Sequence, residues 1–191
     1  EEEQEAQFGA VTFFPEGCEP VVAFRGTDDS VVGWKEDFNM AFLPVIPSQA
    51  DAADYVTKLG EGFPGKLLLM GHSKGGNLAA YAGMFCDPEI QKRIERVYPL
   101  DSPGFIGNTL ESEEYGRIQS RVHKVIPKGS LIGMLLENHG AYSVVESNQM
   151  GIMQHDPFSW QVTDGAFHTL EEISSGAKYM NKTLNSWITG M

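Results

Sequence analysis

Apolar residues along this chain fall into short blocks, each closed by a polar or glycine-bearing turn, at intervals that fit strands alternating with helices. Residues 7–14 and 20–24 carry Phe and Val at β-type density on either side of Pro15-Glu16-Gly17, which predicts an N-terminal antiparallel hairpin. Residues 30–39 mix Val31, Val32, Trp34 and Phe38 with Lys35, Glu36 and Asp37, a pattern read as a loop and short helix with its apolar side turned inward. A helix capped by Ser48 follows, with Ala52, Tyr55, Val56 and Leu59 on its buried face and Gly60 at its end. The run Leu67-Leu68-Leu69-Met70 is a strand. Asp87-Pro88 starts a further short helix, and residues 96–100, 121–126 and 142–147 read as strands. Asp164-Gly165 is a hairpin turn, Thr169 with Glu172 is a capping box, and Leu170, Ile173, Ala177, Met180, Leu184 and Ile188 mark a C-terminal amphipathic helix. No internal repeat or linker interrupts residues 1–191, so the pattern predicts one α/β domain.

One junction organises the rest. The central strand ends in Gly71-His72-Ser73-Lys74-Gly75, and an Ala- and Leu-rich helix follows from Asn77. Strand, tight turn and helix with a serine at the apex is the G-x-S-x-G nucleophile elbow of α/β-hydrolases, which implies a mostly parallel sheet flanked by helices. The glycines let backbones approach where a Cβ would collide, and the helix aims its N–H groups at the serine oxygen. A serine hydroxyl needs an adjacent base, and in this fold the partners follow in the order Ser, Asp or Glu, His.

Five histidines are available. His72 lies within the elbow, its side chain directed away from that of Ser73; His123 falls in a strand and His139 in a turn. His155 sits in a late loop from which an imidazole can reach the elbow, and is the expected base, with His168 as the reserve. The oxyanion hole takes the backbone N–H of Lys74, and Thr27, in the loop after an early strand, is the expected second donor. Arg25 in that loop has acidic neighbours Asp28, Asp29 and Asp37 as alternative partners. Trp34, Phe38, Met40, Phe42, Leu131, Ile132, Met134 and Leu135 lie close in sequence to these positions and could hold an acyl chain or pack the core; Trp34, Phe38, Leu131 and Met134 are the expected substrate contacts.

Composition narrows the partners. A formal charge of -12 argues against nucleic acid and anionic membranes. No apolar run is long enough to span a bilayer, and Cys18 and Cys86 sit in no metal or redox spacing, so no metal is expected there; free thiols in a reducing, cytoplasmic setting are the expectation, with a single disulfide as the alternative. The chain starts Glu1-Glu2-Glu3 without a methionine, as a fragment or processed form would.

Ala23-Phe24-Arg25-Gly26-Thr27, then Trp34 and Asp37, then Gly71-His72-Ser73-x-Gly75-Gly76-x-Leu78-Ala79 resemble class 3 (fungal-type) lipases. Ser102-Pro103-x-x-x-Gly107-Asn108 is similar to a segment of those lipases, with one residue inserted. The fit to a lipase-like bacterial domain family of unknown function is closer, and covers residues 8–160. The resemblance implies an α/β-hydrolase core, no cofactor, and ester hydrolysis through Ser73 and His155. Two positions depart from it. Lys74 stands where those lipases have leucine, which implies a less apolar acyl pocket. The loop Pro127-Lys128-Gly129-Ser130, where they carry the acid, has no carboxylate. Asp101, directly after the strand that follows the elbow, is the expected substitute, in a context similar to that of pancreatic-type lipases. A turn-capping role for Asp101, with Ser130 or a backbone carbonyl orienting the imidazole, is the alternative. The functions left open are a serine carboxylester hydrolase, an acyltransferase using the same site, and an inactive binding or scaffold module.

Overall fold

In a computed structural model, the structure describes residues 6–28 and 30–189; Glu1 to Glu5, Asp29, Gly190, Met191 and the side chains of Ile188 and Thr189 lie outside the described residues. Strands β1 (Ala10–Phe13), β2 (Val21–Phe24), β3 (Leu67–His72), β4 (Ile94–Leu100), β5 (His123–Pro127), β6 (Ala141–Val145) and β9 (Thr169–Leu170) form a seven-stranded sheet in sequence order. Pairing is parallel from β2 through β6 and antiparallel at both ends, β1 with β2 and β6 with β9. The N-terminal hairpin and mostly parallel sheet are those of an α/β-hydrolase. A small hairpin of β7 (Val162–Thr163) and β8 (Ala166–Phe167) stands apart, turned at Asp164 and Gly165, both at positive φ.

Among the described residues six α-helices accompany the sheet: α1 (Val31–Asn39), α2 (Pro47–Gly62), α3 (Lys74–Phe85), α4 (Pro88–Gln91), α5 (Glu113–Ile118) and α6 (Ser175–Thr189). The main core gathers Val22, Leu67, Leu69 and Val97 of the sheet with Leu78, Ala82 and Met84 of α3 and Ala52 and Val56 of α2. Helix α3 is buried from Lys74 to Met84, and at Gly76 an added Cβ would stand against Ser102 and the Gly71 carbonyl.

Three elements differ from the sequence pattern. Helix α2 begins at Pro47, whose fixed φ suits a first helical position, with Ile46 as cap; Ser48 is inside the helix and donates its N–H to Glu36 Oε1 at 3.0 Å. The Thr169–Glu172 stretch is not a helix start: Thr169 and Leu170 complete the sheet edge, and α6 begins at Ser175. The third is α1. Ser30 caps it by accepting the Gly33 N–H, but its apolar residues face solvent, Trp34 67% and Phe38 66% exposed, while Glu36 is 1% exposed. The helix is turned this way by a buried cation, described below. No helix among the described residues is long and apolar enough to cross a membrane, and Cys18 and Cys86 are both free thiols.

Candidate active site

Ser73 stands between β3 and α3 at φ 57, ψ -130, a conformation that side chains other than glycine's rarely adopt. Its amide donates to Leu100 O at 2.9 Å, and its carbonyl accepts from Gly76 at 3.0 Å, so neighbouring strand and helix hold the strain. Added Cβ atoms at Gly71 and Gly75 would strike the Gly75 carbonyl and the Phe24 carbonyl respectively, which is why the turn is written in glycine.

Asp101 follows β4 directly and is also left-handed, at φ 39. Its amide donates to Val125 O at 2.8 Å, which fixes it beside β5. The carboxylate is 1% exposed. Oδ1 accepts from Ser130 Oγ at 2.5 Å and from the Gly133 amide at 3.1 Å, and Oδ2 lies 2.7 Å from His155 Nδ1. Ser130 therefore serves the carboxylate rather than replacing it. A carboxylate accepts only, so the geometry puts the proton on His155 Nδ1 and leaves Nε2 with its lone pair. His155 closes a 3₁₀ turn, Gly151–His155. Its Nε2 and the Ser73 hydroxyl make no hydrogen bond among the described residues.

His72 lies against this turn. Its Nε2 is 2.7 Å from the His155 carbonyl, and the two rings are tilted 40° to one another with centroids 4.4 Å apart. Burial, and then the nearby charge of His155, push its pKa below the ordinary histidine value. Of the other histidines, His123 Nε2 meets Ser143 Oγ at 2.7 Å, His168 pairs with Glu146 at 2.6 Å, and the His139 carbonyl accepts from Tyr115.

Thr27 and Lys74 approach from the other side. The Thr27 hydroxyl donates to Asp37 Oδ2 at 2.6 Å, so its single proton is engaged; the Thr27 and Lys74 amides are unused among the described residues. Burial raises the pKa of Asp37, partly offset by the Thr27 bond, and its Oδ1 is buried without a partner. Arg25 pairs with Asp28 at 3.4 Å.

Lys74 does not make the pocket polar. Its ammonium is fully buried, 2.9 Å from Glu36 Oε2, and also donates to Gln7 O at 3.0 Å and Gln7 Oε1 at 2.6 Å. This buried charge draws Glu36 inward and rolls the apolar side of α1 out. Sequence reasoning missed the partnership, although an acidic residue on an amphipathic stretch and a lysine in a buried turn were its signals.

A cavity of about 170 Å³ is lined by Ser73 and Lys74 together with Asp37, Met40, Ala41, Pro103, Ile132, Leu135 and Leu136, the Lys74 ammonium being turned away to Glu36 and Gln7. Four expected contacts lie elsewhere. Trp34 and Phe38 project from α1 into solvent, Leu131 is outside the lining, and Met134 borders a second cavity with Lys124 and Phe105. Their neighbours take the wall: Met40 from the end of α1, and Ile132 and Leu135 from the 3₁₀ turn Ile132–Met134 and its end, where Met134 turns to the other cavity.

An α/β-hydrolase sheet with a strained serine elbow and a histidine bonded to a buried aspartate defines a lipase-like chain. It matches the Mbeg1-like family over residues 1–191 and belongs to that family. Solved structures with the same fold include the lipase of Rhizopus microsporus var. chinensis, at TM-score 0.51 and 18% identity, covering 71% of this chain and 56% of that one. A fungal lipase–inhibitor complex is similar at TM-score 0.52 and 14% identity, covering 74% of this chain and 62% of that one. The chain thus spans less than two thirds of either lipase, and the likeness is one of fold. No curated protein matches.

Proposed function

We propose that the protein is a serine carboxylester hydrolase acting through an acyl-enzyme. The observation that carries the reading is the 2.7 Å contact between His155 Nδ1 and a buried Asp101 whose other oxygen is already satisfied. That pair orients an imidazole and stabilises its charged form, the task of the acid in a triad.

Ser73 Oγ attacks the ester carbonyl while His155 Nε2 takes its proton. The oxyanion forms against the amides of Lys74 and Thr27, the Thr27 hydroxyl being engaged by Asp37. Collapse expels the alcohol, which receives the proton from His155, and leaves the acyl group on Ser73. Water, deprotonated by the same imidazole, releases the acid and restores the serine. The apolar cavity beside Ser73 suits the acyl chain. An acyltransferase differs only in replacing that water by another acceptor.

A fluorophosphonate probe and a short-chain p-nitrophenyl ester test the reading. Labelling at Ser73 together with turnover abolished in Ser73→Ala is the expected result. A second reading, a hydrolase fold retained for binding, is favoured by the missing Ser73–His155 bond, although such bonds are often loose before substrate arrives. Absence of labelling in a folded protein would decide for it.

A further inference from the structure

The turn that carries His155 is held at several points. The Gly129 amide donates to Gln154 Oε1 at 3.0 Å, Trp160 Nε1 donates to Gln154 O at 2.8 Å, and Asp101 holds the ring. All of these come from the segments after β4, β5 and β6. Asp101 reaches Ser73 only along the backbone, through Leu100, whose carbonyl accepts the Ser73 amide at 2.9 Å. Among the described residues, the direct side-chain tie from the Ser73 side is His72, by its Nε2 contact at 2.7 Å and its ring, tilted 40° against that of His155.

Resting on the hydrolase reading above, we infer that His72 is a positioning residue that sets the distance and tilt of the His155 imidazole relative to Ser73. The residue before the nucleophile cannot move without moving Ser73, because both lie in one strained turn. By gripping the His155 backbone carbonyl, it transmits the position of the elbow to the base. A carbonyl only accepts, so His72 Nε2 carries a proton. In its neutral form, with the lone pair on Nδ1, the ring can lie against a His155 that becomes charged during turnover. Burial, and then the charge of His155, favour that neutral form, against the opposing pull of the bond to the His155 carbonyl and of Asp101 and Asp156.

Two substitutions separate the donor from the bulk. His72→Phe keeps a ring and removes the N–H; His72→Gln keeps an N–H at a similar reach and removes the ring. With a p-nitrophenyl ester, His72→Phe is expected to lower kcat on the order of a hundredfold with KM unchanged, the cost of misplacing a catalytic group by about an ångström. His72→Gln should recover most of that loss, and the downfield Nδ1 proton of His155 should persist in both, because Asp101 still holds it. Thermal melts check folding; if His72→Phe melts early, His72→Met, which also lacks the donor, takes its place with the same expected loss. Wild-type kcat without the donor, or equal losses in the donor-keeping and donor-lacking variants, overturns the inference. Turnover that survives Ser73→Ala overturns the hydrolase reading and the inference with it, whereas turnover lost in Ser73→Ala and intact in His72→Phe overturns the inference alone.

Discussion

Lys74 and Lys124 both carry an ammonium group out of water, one behind the Ser73 turn and one behind Asp101, but they are compensated differently. Lys74 faces the carboxylate of Glu36 at 2.9 Å. Lys124 donates to Ser102 O at 2.7 Å, Gly133 O at 2.8 Å and the side-chain oxygen of Asn138, all neutral acceptors. Burial pulls the Lys124 pKa down to about 7, and the more distant charge of Asp101 opposes it. The first lysine thus joins charge to charge and fixes an element, α1. The second uses dipoles to bind two loop segments next to the Asp101 carboxylate, and its own charge is what the fold disfavours.

Breaking the first arrangement should have the largest effect. Lys74→Met leaves Glu36 buried without its cation, and urea unfolding should show a loss of about 3–5 kcal/mol. A loss under about 1 kcal/mol, the range of exposed pairs, would mean that water reaches Glu36. The second lysine is distinguished by pH. Its unfolded pKa is about 10.4 and its folded one about 7, so between them the unfolded chain holds more protons and stability rises with pH. The contribution approaches about 1.4 kcal/mol per pH unit. Below about pH 7 both states are protonated and the penalty is fully present. Unfolding from about pH 7 to 8.5 should therefore show a rising component in the wild type that Lys124→Met lacks. Higher pH adds the opposite effect of Cys86, whose pKa burial pushes up to about 12. Identical pH slopes in the two proteins would put Lys124 in the same category as Lys74. The smallest effect tests pairing itself. Lys74→Met combined with Glu36→Gln removes both charges and keeps an acceptor for Ser48, while the Gln7 amide, which donates to Glu36 Oε2 at 3.1 Å, loses its own. Stability should therefore return to within about 1–3 kcal/mol of wild type. No recovery would show that the contribution runs through the Gln7 bonds rather than through the ion pair.

Local sequence carried much of the architecture. The Ser73 turn was legible because its glycines fall at a fixed short spacing: Gly71 and Gly76 answer clashes within the turn, whereas the clash that Gly75 avoids is with the Phe24 carbonyl on a distant strand. The hairpin at residues 10–24 and the Asp164-Gly165 turn are likewise set by neighbours. Asp101 and His155 were legible as expected partners because chain order and strand ends restrict where they can lie, and the structure brings their side chains to 2.7 Å. What escaped depended on distant residues. Nothing near Glu36 announces Lys74, 38 positions on, so α1 was expected with its apolar side inward. The Thr169–Glu172 capping pattern was overridden because the edge of β6 was available to Thr169 and Leu170. The His72 contact joins residues 83 apart in sequence, a separation no short motif encodes.

The meeting of β4 and β5 has a consequence for how the molecule opens. Leu100 with Val125, a bridge from Val97 to Val122, and the Asp101 amide on Val125 O join two parts of the sheet that have separate cores. Val22, Leu69, Val97 and Leu78 pack on one side of this seam; Ile126, Val144 and Ile173, and Val125 with Val145 and Trp160, pack on the other. Cooperative units of folding follow such boundaries, and each exchanges its amide protons at its own rate. Ser73 belongs to the first unit, and the turn bearing His155 is anchored to the second through Gly129 and Trp160. A sub-global opening at the seam therefore parts serine from histidine while the larger unit keeps its amides protected, so loss of the site precedes loss of the fold.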